Sequence, residues 1–351
     1  MTPPPAAPGR PRIAILGAGS IGCHLGGHLA AHAEVTLIGR RTVLDTLADG
    51  LTLTAAGRPP RHVPRADLTI ATGPDAVAGA DLVLVTVKSS GTAAAALELA
   101  EHLDPGTVVV SFQNGLHNPG VLREALPDHT VLAGMVPYNV LQTRPGTFHQ
   151  GSAGALMVDD LPQAAPLLDA LTRAGLPVQA RRDMREVQYA KLLMNLNNAV
   201  NALSGLPLRD QLGQRDYRRC LALCQDEALA AYRAEGVRPA RLGPLPAAAT
   251  PTLLRLPDPL FHRLAAASLR IDAQARSSMW EDLERGRPTE IDALQGEVVA
   301  LAARHHLPAP ANARLITLIR TAETADRTPT PAPARTWTGP ALLAELNRAA
   351  E

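Results

Sequence analysis

Lysine is almost missing from this sequence. Of its 34 basic residues only two are lysine, Lys88 and Lys191, and all the others are arginine. The two side chains are not interchangeable, because a lysine ammonium can shift its pKa and donate a proton, whereas an arginine stays charged. The two lysines are therefore the first candidates for functional side chains.

Strong net charge, long apolar runs and a disulfide framework are also absent. The net charge is +1 with 19% charged residues, which predicts no nucleic-acid partner and no membrane surface. The longest apolar runs, such as Asp81–Val87, are strand-sized and far short of a membrane span. Cys23, Cys220 and Cys224 make neither a disulfide framework nor a metal site. Residues 1–11 are a proline-rich arm, expected to be flexible, without the apolar core of a signal peptide, so we expect a reduced, cytoplasmic location.

Length and hydrophobic pattern predict two domains, since 351 residues can bury two cores. Over residues 12–182 apolar strand-sized runs alternate with helical segments, which is typical of a doubly wound, mostly parallel α/β sheet. Over residues 183–327 the pattern is helical, and Asp183 with Glu186 is predicted to cap the first of these helices. Residues 328–351 are predicted to form a tail, with a linker and a short, frayed helix.

A glycine-rich loop follows the first predicted strand. Residues 12–16 have the pattern of a buried strand, and a G-x-G-x-x-G motif comes directly after it and opens a helix. The glycines allow a tight turn and a close approach of the backbone, and the helix N-terminus then faces a pyrophosphate. We therefore assign to dinucleotide binding the loop residues Gly17, Gly19, Ser20, Ile21 and Gly22.

The end of the second predicted strand indicates which dinucleotide binds. Residues 34–38 form this strand, and Arg40 and Arg41 follow in place of the Asp or Glu that normally holds the ribose of NAD or FAD. Guanidinium groups bind a 2′-phosphate by charge-assisted hydrogen bonds, whereas a carboxylate would repel it. The pattern favours NADP(H). The alternative is that both arginines are ordinary surface residues and that the choice of cofactor is relaxed.

Two further predicted strands end in polar residues. Lys88 ends the strand over 81–87, and Asn114 lies in the Gln-Asn-Gly segment that ends the strand over 107–112. Ligands of doubly wound sheets bind outside the carboxyl ends of the strands, so both side chains are candidates for the cofactor site. The alternative is ordinary turn chemistry, since Asn-Gly is a common turn pair.

The second lysine lies on an unusual helix face. Within residues 189–203, Lys191, Asn195 and Asn198 fall within roughly 60° of one another at about 100° per residue. Asparagine is a poor helix former, so a merely solvated face usually carries Glu, Lys or Arg instead. We interpret this face as part of a site, and the alternative is a polar face with a chance lysine.

A last polar cluster comprises residues 277–282, placed in a predicted helix over about 260–284, and residues 289–292, which include the predicted N-cap Thr289. From the residues alone these are helix-surface and capping positions.

In order and spacing, these motifs resemble the ketopantoate reductase (2-dehydropantoate 2-reductase) family over roughly residues 12–305. The matching segments are 17–22, 87–88, 113–115, 191–195 and 277–292. The resemblance implies an N-terminal Rossmann domain, an all-α C-terminal domain and an active site in the cleft between them. It implies NADPH-dependent reduction of 2-dehydropantoate to (R)-pantoate, on the route to pantothenate and coenzyme A.

The resemblance also implies roles for individual side chains. Lys191 matches the catalytic lysine, Glu290 the essential glutamate and Ser278 a serine that holds the substrate carboxylate. The remaining matches lie at the cofactor or the substrate: Asn114 at both, Asn195 at the substrate, Lys88 near the cofactor and Arg40 nearest the 2′-phosphate. Lys191 would be the general acid, and Glu290 would hold the lysine or the cofactor ribose.

The sequence departs from the family where substrate amides are expected. Ala199 occupies the place of a second substrate asparagine, and Asn198 is the nearest candidate. The substrate therefore stays open between ketopantoate and another branched or aromatic 2-keto acid. A non-catalytic NADP(H)-sensing module is a third reading, and a homodimer is also an open alternative.

Overall fold

The structure is a computed structural model that describes residues 10–265, 272, 275–325 and 336–351. Residues 1–9 of the predicted flexible arm and residues 328–335 of the predicted tail lie outside the described residues.

The first half of the chain alternates strands with helices. Its strands are β1 Arg12–Leu16, β2 Glu34–Ile38, β3 Leu51–Ala55, β4 Arg61–Val63, β5 Leu68–Ala71, β6 Leu82–Val85, β7 Val108–Ser111, β8 Thr130–Met135, β9 Val140–Arg144, β10 Thr147–Gln150, β11 Leu156–Asp159 and β12 Val178–Arg181. Its helices are α1 Ser20–Leu29, α2 Arg41–Leu44, α3 Thr92–His102, α4 Asn118–Ala125 and α5 Ala165–Arg173.

The predicted doubly wound, mostly parallel sheet is confirmed. The strands β12-β11-β8-β7-β6-β1-β2-β5 form one sheet in that order, and only the pair β8 and β11 is antiparallel. The central strands β1 and β6 are buried along most of their length, as expected for a sheet covered by helices on both faces. A smaller sheet, in the order β4-β3-β10-β9, packs against α1.

The second half is helical, as predicted. Its helices are α6 Met184–Asn195, α7 Asn197–Ser204, α8 Leu208–Gly213, α9 Arg215–Ala234, α10 Thr250–Leu254, α11 Asp258–Leu264, α12 Ser278–Glu284, α13 Glu297–Arg304, α14 Pro310–Ala325 and α15 Gly339–Arg348. A π-helical turn over Asp292–Gly296 leads into α13. The long helix α9 contacts several of the others, and their buried faces form one hydrophobic core.

Three local predictions were wrong. Asp183 makes no capping bond, because its carboxylate accepts two hydrogen bonds of 2.7 Å from Arg181. The helix predicted over 260–284 is not continuous, since α12 starts at Ser278 and Ser277 is its cap. The terminal helix α15 is not frayed, because Leu342 and Leu346 are fully buried in the helical core.

Candidate active site

A cleft of about 360 Å³ lies between the carboxyl edge of the large sheet and the helical half. Its walls come from both halves of the chain, which is the usual place for a ligand in a doubly wound sheet. It brings together most of the predicted site residues. Those that line it are Gly19, Ser20, Ile21, Lys88, Asn114, Lys191, Asn195, Asn198, Ser278 and Glu290.

The glycine loop has the geometry that a dinucleotide requires. Gly17 has a φ of +114°, and a Cβ there would stand 2.6 Å from the amide nitrogen of Val87. A Cβ on Gly22 would collide with the carbonyl of Gly17, while one on Gly19 would meet nothing within 4 Å. Gly17 and Gly22 therefore shape the turn without lining the cleft, and Gly19 leaves room at the N-terminus of α1. The ten-residue α1 has no side-chain cap, so its first amides can bind a phosphate.

The two arginines after β2 lie outside the cleft. Arg40 is exposed, and its guanidinium has no partner within the part of the chain that the structure describes. Arg41 is also exposed, and it lies 3.5 Å from Asp45 in an ion pair one helical turn away. Arg41 lines a separate surface depression of about 580 Å³ next to the end of β5. The structure thus leaves both guanidinium groups accessible beside the strand end where a ribose would lie.

Lys191 presents a solitary amine to the cleft. It lies on α6 and is partly buried, and its ammonium makes no hydrogen bond or ion pair with any described residue. Burial lowers the pKa of Lys191 to about 8, because a desolvated ammonium is penalised and no carboxylate of the described ranges compensates it. An amine with this pKa can be protonated near neutral pH and still release its proton readily.

A chain of hydrogen bonds connects the two halves beside Lys191. Asn195 Nδ2 donates to Asn114 Oδ1 at 3.0 Å, and Asn114 Nδ2 donates to Glu290 Oε2 at 3.1 Å. The other oxygen of Glu290 accepts the backbone N–H of Ser89 at 2.9 Å and lies 3.0 Å from the Ser89 hydroxyl. Glu290 thus fixes which way the amide of Asn114 points, and Asn114 in turn orients Asn195. Among the described residues, the hydrogen-bond partners of Glu290 are Ser89 and Asn114, and Lys191 is not one of them.

Ser89 is a site residue that the sequence reasoning missed. It contacts Glu290, and its hydroxyl also donates to the carbonyl of Asn114 at 2.8 Å. The only signal was its position directly after Lys88, at the end of a buried strand.

Lys88 lies in the cleft, but its ammonium is already engaged across it. It forms an ion pair of 2.7 Å with Asp282 and donates to the carbonyl of Pro288 at 2.6 Å. Both partners belong to the helical half: Asp282 lies on α12, and Pro288 lies between α12 and Glu290.

Ser278 and Asn198 present polar side chains to the cleft. Neither side chain has a hydrogen-bond partner among the described residues. Their backbones are held together, since the Ser277 hydroxyl donates to the carbonyl of Asn198 at 3.2 Å. The side chain of Asn201, which is fully buried, accepts the N–H of Ser277 at 2.9 Å. This bond holds the N-cap of α12 against α7.

The wall beside Asn198 is partly apolar. Ala199 is completely buried in the helical core, so this position contributes nothing polar to the cleft. Asn197 lines the cleft, but it is committed to a reciprocal pair of hydrogen bonds with Gln211, of 3.1 and 3.2 Å. Leu208 and Leu212 of α8 complete this wall.

No group of three or more His, Cys, Asp or Glu side chains within the described ranges could hold a metal ion. No described helix is both long enough and apolar enough to cross a membrane. The arrangement instead combines a helix N-terminus without a side-chain cap, the amine of Lys191 with no partner among the described residues, and several oriented amides.

The sequence profile described as "Ketopantoate reductase PanE/ApbA" matches residues 13–163, and the one described as "Ketopantoate reductase PanE/ApbA C terminal" matches residues 183–323. A 2-dehydropantoate 2-reductase of Halobacterium salinarum is 30% identical over 321 residues, which cover 89% of this chain and 99% of the relative. A solved ketopantoate reductase from Ralstonia eutropha has a TM-score of 0.75 at 32% identity, covering 90% of this chain and 100% of its own. A 2-dehydropantoate 2-reductase from Geobacter metallireducens has a TM-score of 0.73 at 25% identity, covering 89% and 99%.

Proposed function

The chain belongs to the ketopantoate reductase family, and we propose that it reduces 2-dehydropantoate to (R)-pantoate with NADPH, in pantothenate and coenzyme A biosynthesis. The observation that carries this proposal is the amine of Lys191, which has no partner in the part of the chain that the structure describes and lines the same cleft as the N-terminus of α1. A reductase needs a hydride donor and a proton donor on opposite ends of one carbonyl. The glycine loop would hold the first, and Lys191 would be the second.

The chain's own residues account for the proton and for the orientation of the substrate. The reduced nicotinamide, when bound, supplies a hydride to the ketone carbon, and the C=O π electrons move to oxygen. The Lys191 ammonium polarises that oxygen beforehand and then gives it a proton, leaving a neutral amine. Asn195, oriented through Asn114 and Glu290, directs an amide dipole into the cleft without adding competing charge. The free groups of Ser278 and Asn198 would bind the substrate carboxylate and hydroxyl.

The choice of NADP(H) over NAD(H) rests on Arg40, since its guanidinium is exposed beside the end of β2 and has no partner among the described residues. We predict that Arg40→Ala raises the Kd of NADPH roughly tenfold, because one charge-assisted contact to a phosphate is lost, and leaves the Kd of NADH unchanged. Fluorescence titration with both nucleotides measures this. Arg41→Ala is the matched comparison, since its guanidinium already pairs with Asp45. If NADPH binding is unchanged in both variants and in the double variant, the arginines do not select the cofactor.

The substrate is tested by a panel of 2-keto acids, with NADPH consumption followed at 340 nm. We expect turnover with 2-dehydropantoate at the highest kcat/KM of the panel. A higher value for a branched or aromatic 2-keto acid without the hydroxyl would assign the enzyme to that substrate instead. Cofactor binding without turnover on any member would favour the sensing module.

Three further predictions belong to this proposal. The dinucleotide domain would comprise residues 12–182 and the substrate domain residues 183–327. A cytoplasmic location fits the three cysteines, which are free thiols buried in the protein. A homodimer stays a prediction.

A further inference from the structure

Lys88 and Asp282 form an ion pair across the cleft. Lys88 follows β6 in the first half of the chain, and Asp282 lies on α12 in the second, 2.7 Å away. Only 8% of the Asp282 side chain is exposed, compared with 39% of Lys88. A carboxylate that is this buried needs a cation nearby, and burial raises the pKa of Asp282 while Lys88 and Arg287 oppose the rise.

The second contact of Lys88 extends this link toward Glu290. Its ammonium also donates to the carbonyl of Pro288 at 2.6 Å, two residues before Glu290. The next residue, Ser89, holds the Glu290 carboxylate through its N–H at 2.9 Å. Lys88 and Ser89, which follow β6 in succession, therefore bind Pro288 and Glu290 of the same short segment.

We propose that the Lys88–Asp282 ion pair is an interdomain clasp, which positions Glu290 and sets the width of the cleft, and that Lys88 is a positioning residue and not a cofactor ligand. The clasp holds the 288–290 segment against the end of β6, so that Glu290 meets Ser89 and Asn114. Asn114 then orients Asn195 beside the amine of Lys191. Asp282 thereby acts on the reaction without touching the reacting atoms. This deepens the proposed function, on which its kinetic part rests.

A direct cofactor contact and a clasp make different predictions for Asp282. If Lys88 binds the cofactor, Lys88→Met weakens NADPH binding strongly and Asp282→Asn does not. If Lys88 is one half of the clasp, each variant lowers kcat by about tenfold and changes the Kd of NADPH by less than about threefold. The loss in the double variant is then smaller than the product of the two single losses, because the Lys88–Asp282 contact is already lost in each single variant.

The variants are expected to fold, because Lys88→Met leaves Asp282 with Arg287, whose Nε is 3.3 Å away. Glu284 is the matched control, since it is an exposed carboxylate on the same helix. Lys88→Met combined with Glu284→Gln should give effects that simply multiply. Lys88→Arg keeps the positive charge, so its kcat is expected to be higher than that of Lys88→Met.

The experiment is a double-variant cycle on the full chain, read in kcat, in the Kd of NADPH and in urea unfolding. Non-multiplicative losses of kcat for Lys88→Met and Asp282→Asn, with coupled effects on unfolding, are the expected result. Independent effects, or a large loss of NADPH affinity in Lys88→Met alone, would overturn the clasp. If the two substitutions have coupled effects on unfolding but the wild-type protein reduces no 2-keto acid, the clasp is supported and the proposed function is refuted.

Discussion

Lys191→Met is expected to lower kcat by at least ~10² while leaving the Kd of NADPH nearly unchanged. The amine is the one group in the cleft proposed to deliver a proton to the ketone oxygen, and it makes no bond that would hold the cofactor loop. Methionine keeps the length and most of the volume of the side chain, so the loss comes from the charge and the proton. Single-turnover kinetics with a separate NADPH titration measure the two effects.

The same substitution is expected to stabilise the fold at neutral pH. Burial lowers the pKa of Lys191 to about 8, below the value near 10.4 of an unfolded lysine, so the unfolded state binds more protons between these values. Stability therefore rises with pH across this window, and below it the full cost of a buried ammonium is present. Replacing the ammonium should raise the free energy of unfolding at pH 7 by roughly 1–3 kcal/mol. Urea unfolding measures this.

Arg185→Met is the control, because it removes an exposed positive charge from the same helix. Its kcat is expected to stay within about twofold of the wild type. Near-normal turnover of Lys191→Met would remove Lys191 from the mechanism. A loss of stability in that variant would show that the cleft does not desolvate the amine.

Glu290→Gln is expected to lower kcat by roughly 30- to 100-fold, the cost of losing a charge-assisted hydrogen bond in the site. The Glu290 carboxylate accepts on both oxygens, from Ser89 and from Asn114. A glutamine must turn its NH₂ group toward one of these donors, so either the link to Ser89 or the orientation of Asn114 is lost. If the Asn114 amide flips to recover the bond, its NH₂ group then faces that of Asn195.

Steady-state kinetics on 2-dehydropantoate test this prediction, with Glu284→Gln as the matched control on an exposed carboxylate. Asn114→Asp in the Glu290→Gln background is the informative second variant, since it restores an acceptor opposite the new amide. A partial recovery of kcat there is expected from the hydrogen-bond directions. A Glu290→Gln variant with wild-type kcat would show that the chain of amides does not orient the site.

Local sequence signals predicted much of the fold and most of the cleft. The glycine loop, the strand that Lys88 follows and the helix face of Lys191 each depend on a spacing of a few residues. A parallel sheet then places the strand ends on one edge, which is why separate signals converge in space. Asn198 was identified the same way, and the structure places it in the cleft while Ala199 lies in the core.

Contacts between distant segments could not be predicted in this way. Ser89 and Glu290 are 201 positions apart, and no pattern in the sequence pairs them. The ion pair of Lys88 with Asp282 was missed for the same reason, although both residues were in motifs that had been noticed. Asp183 failed as a cap because Arg181, two residues before it, competes for its carboxylate.

The most direct test of Lys191 as the proton donor is the pH dependence of the hydride-transfer rate in a single turnover, followed at 340 nm with saturating NADPH. A general acid must be protonated to act, and burial lowers the pKa of Lys191 to about 8. The rate is expected to be level in neutral solution and to fall tenfold per pH unit above the pKa of the amine, and this fall is expected to vanish in Lys191→Met. A wild-type rate that stays level to pH 10, or the same fall in Lys191→Met, would contradict the assignment.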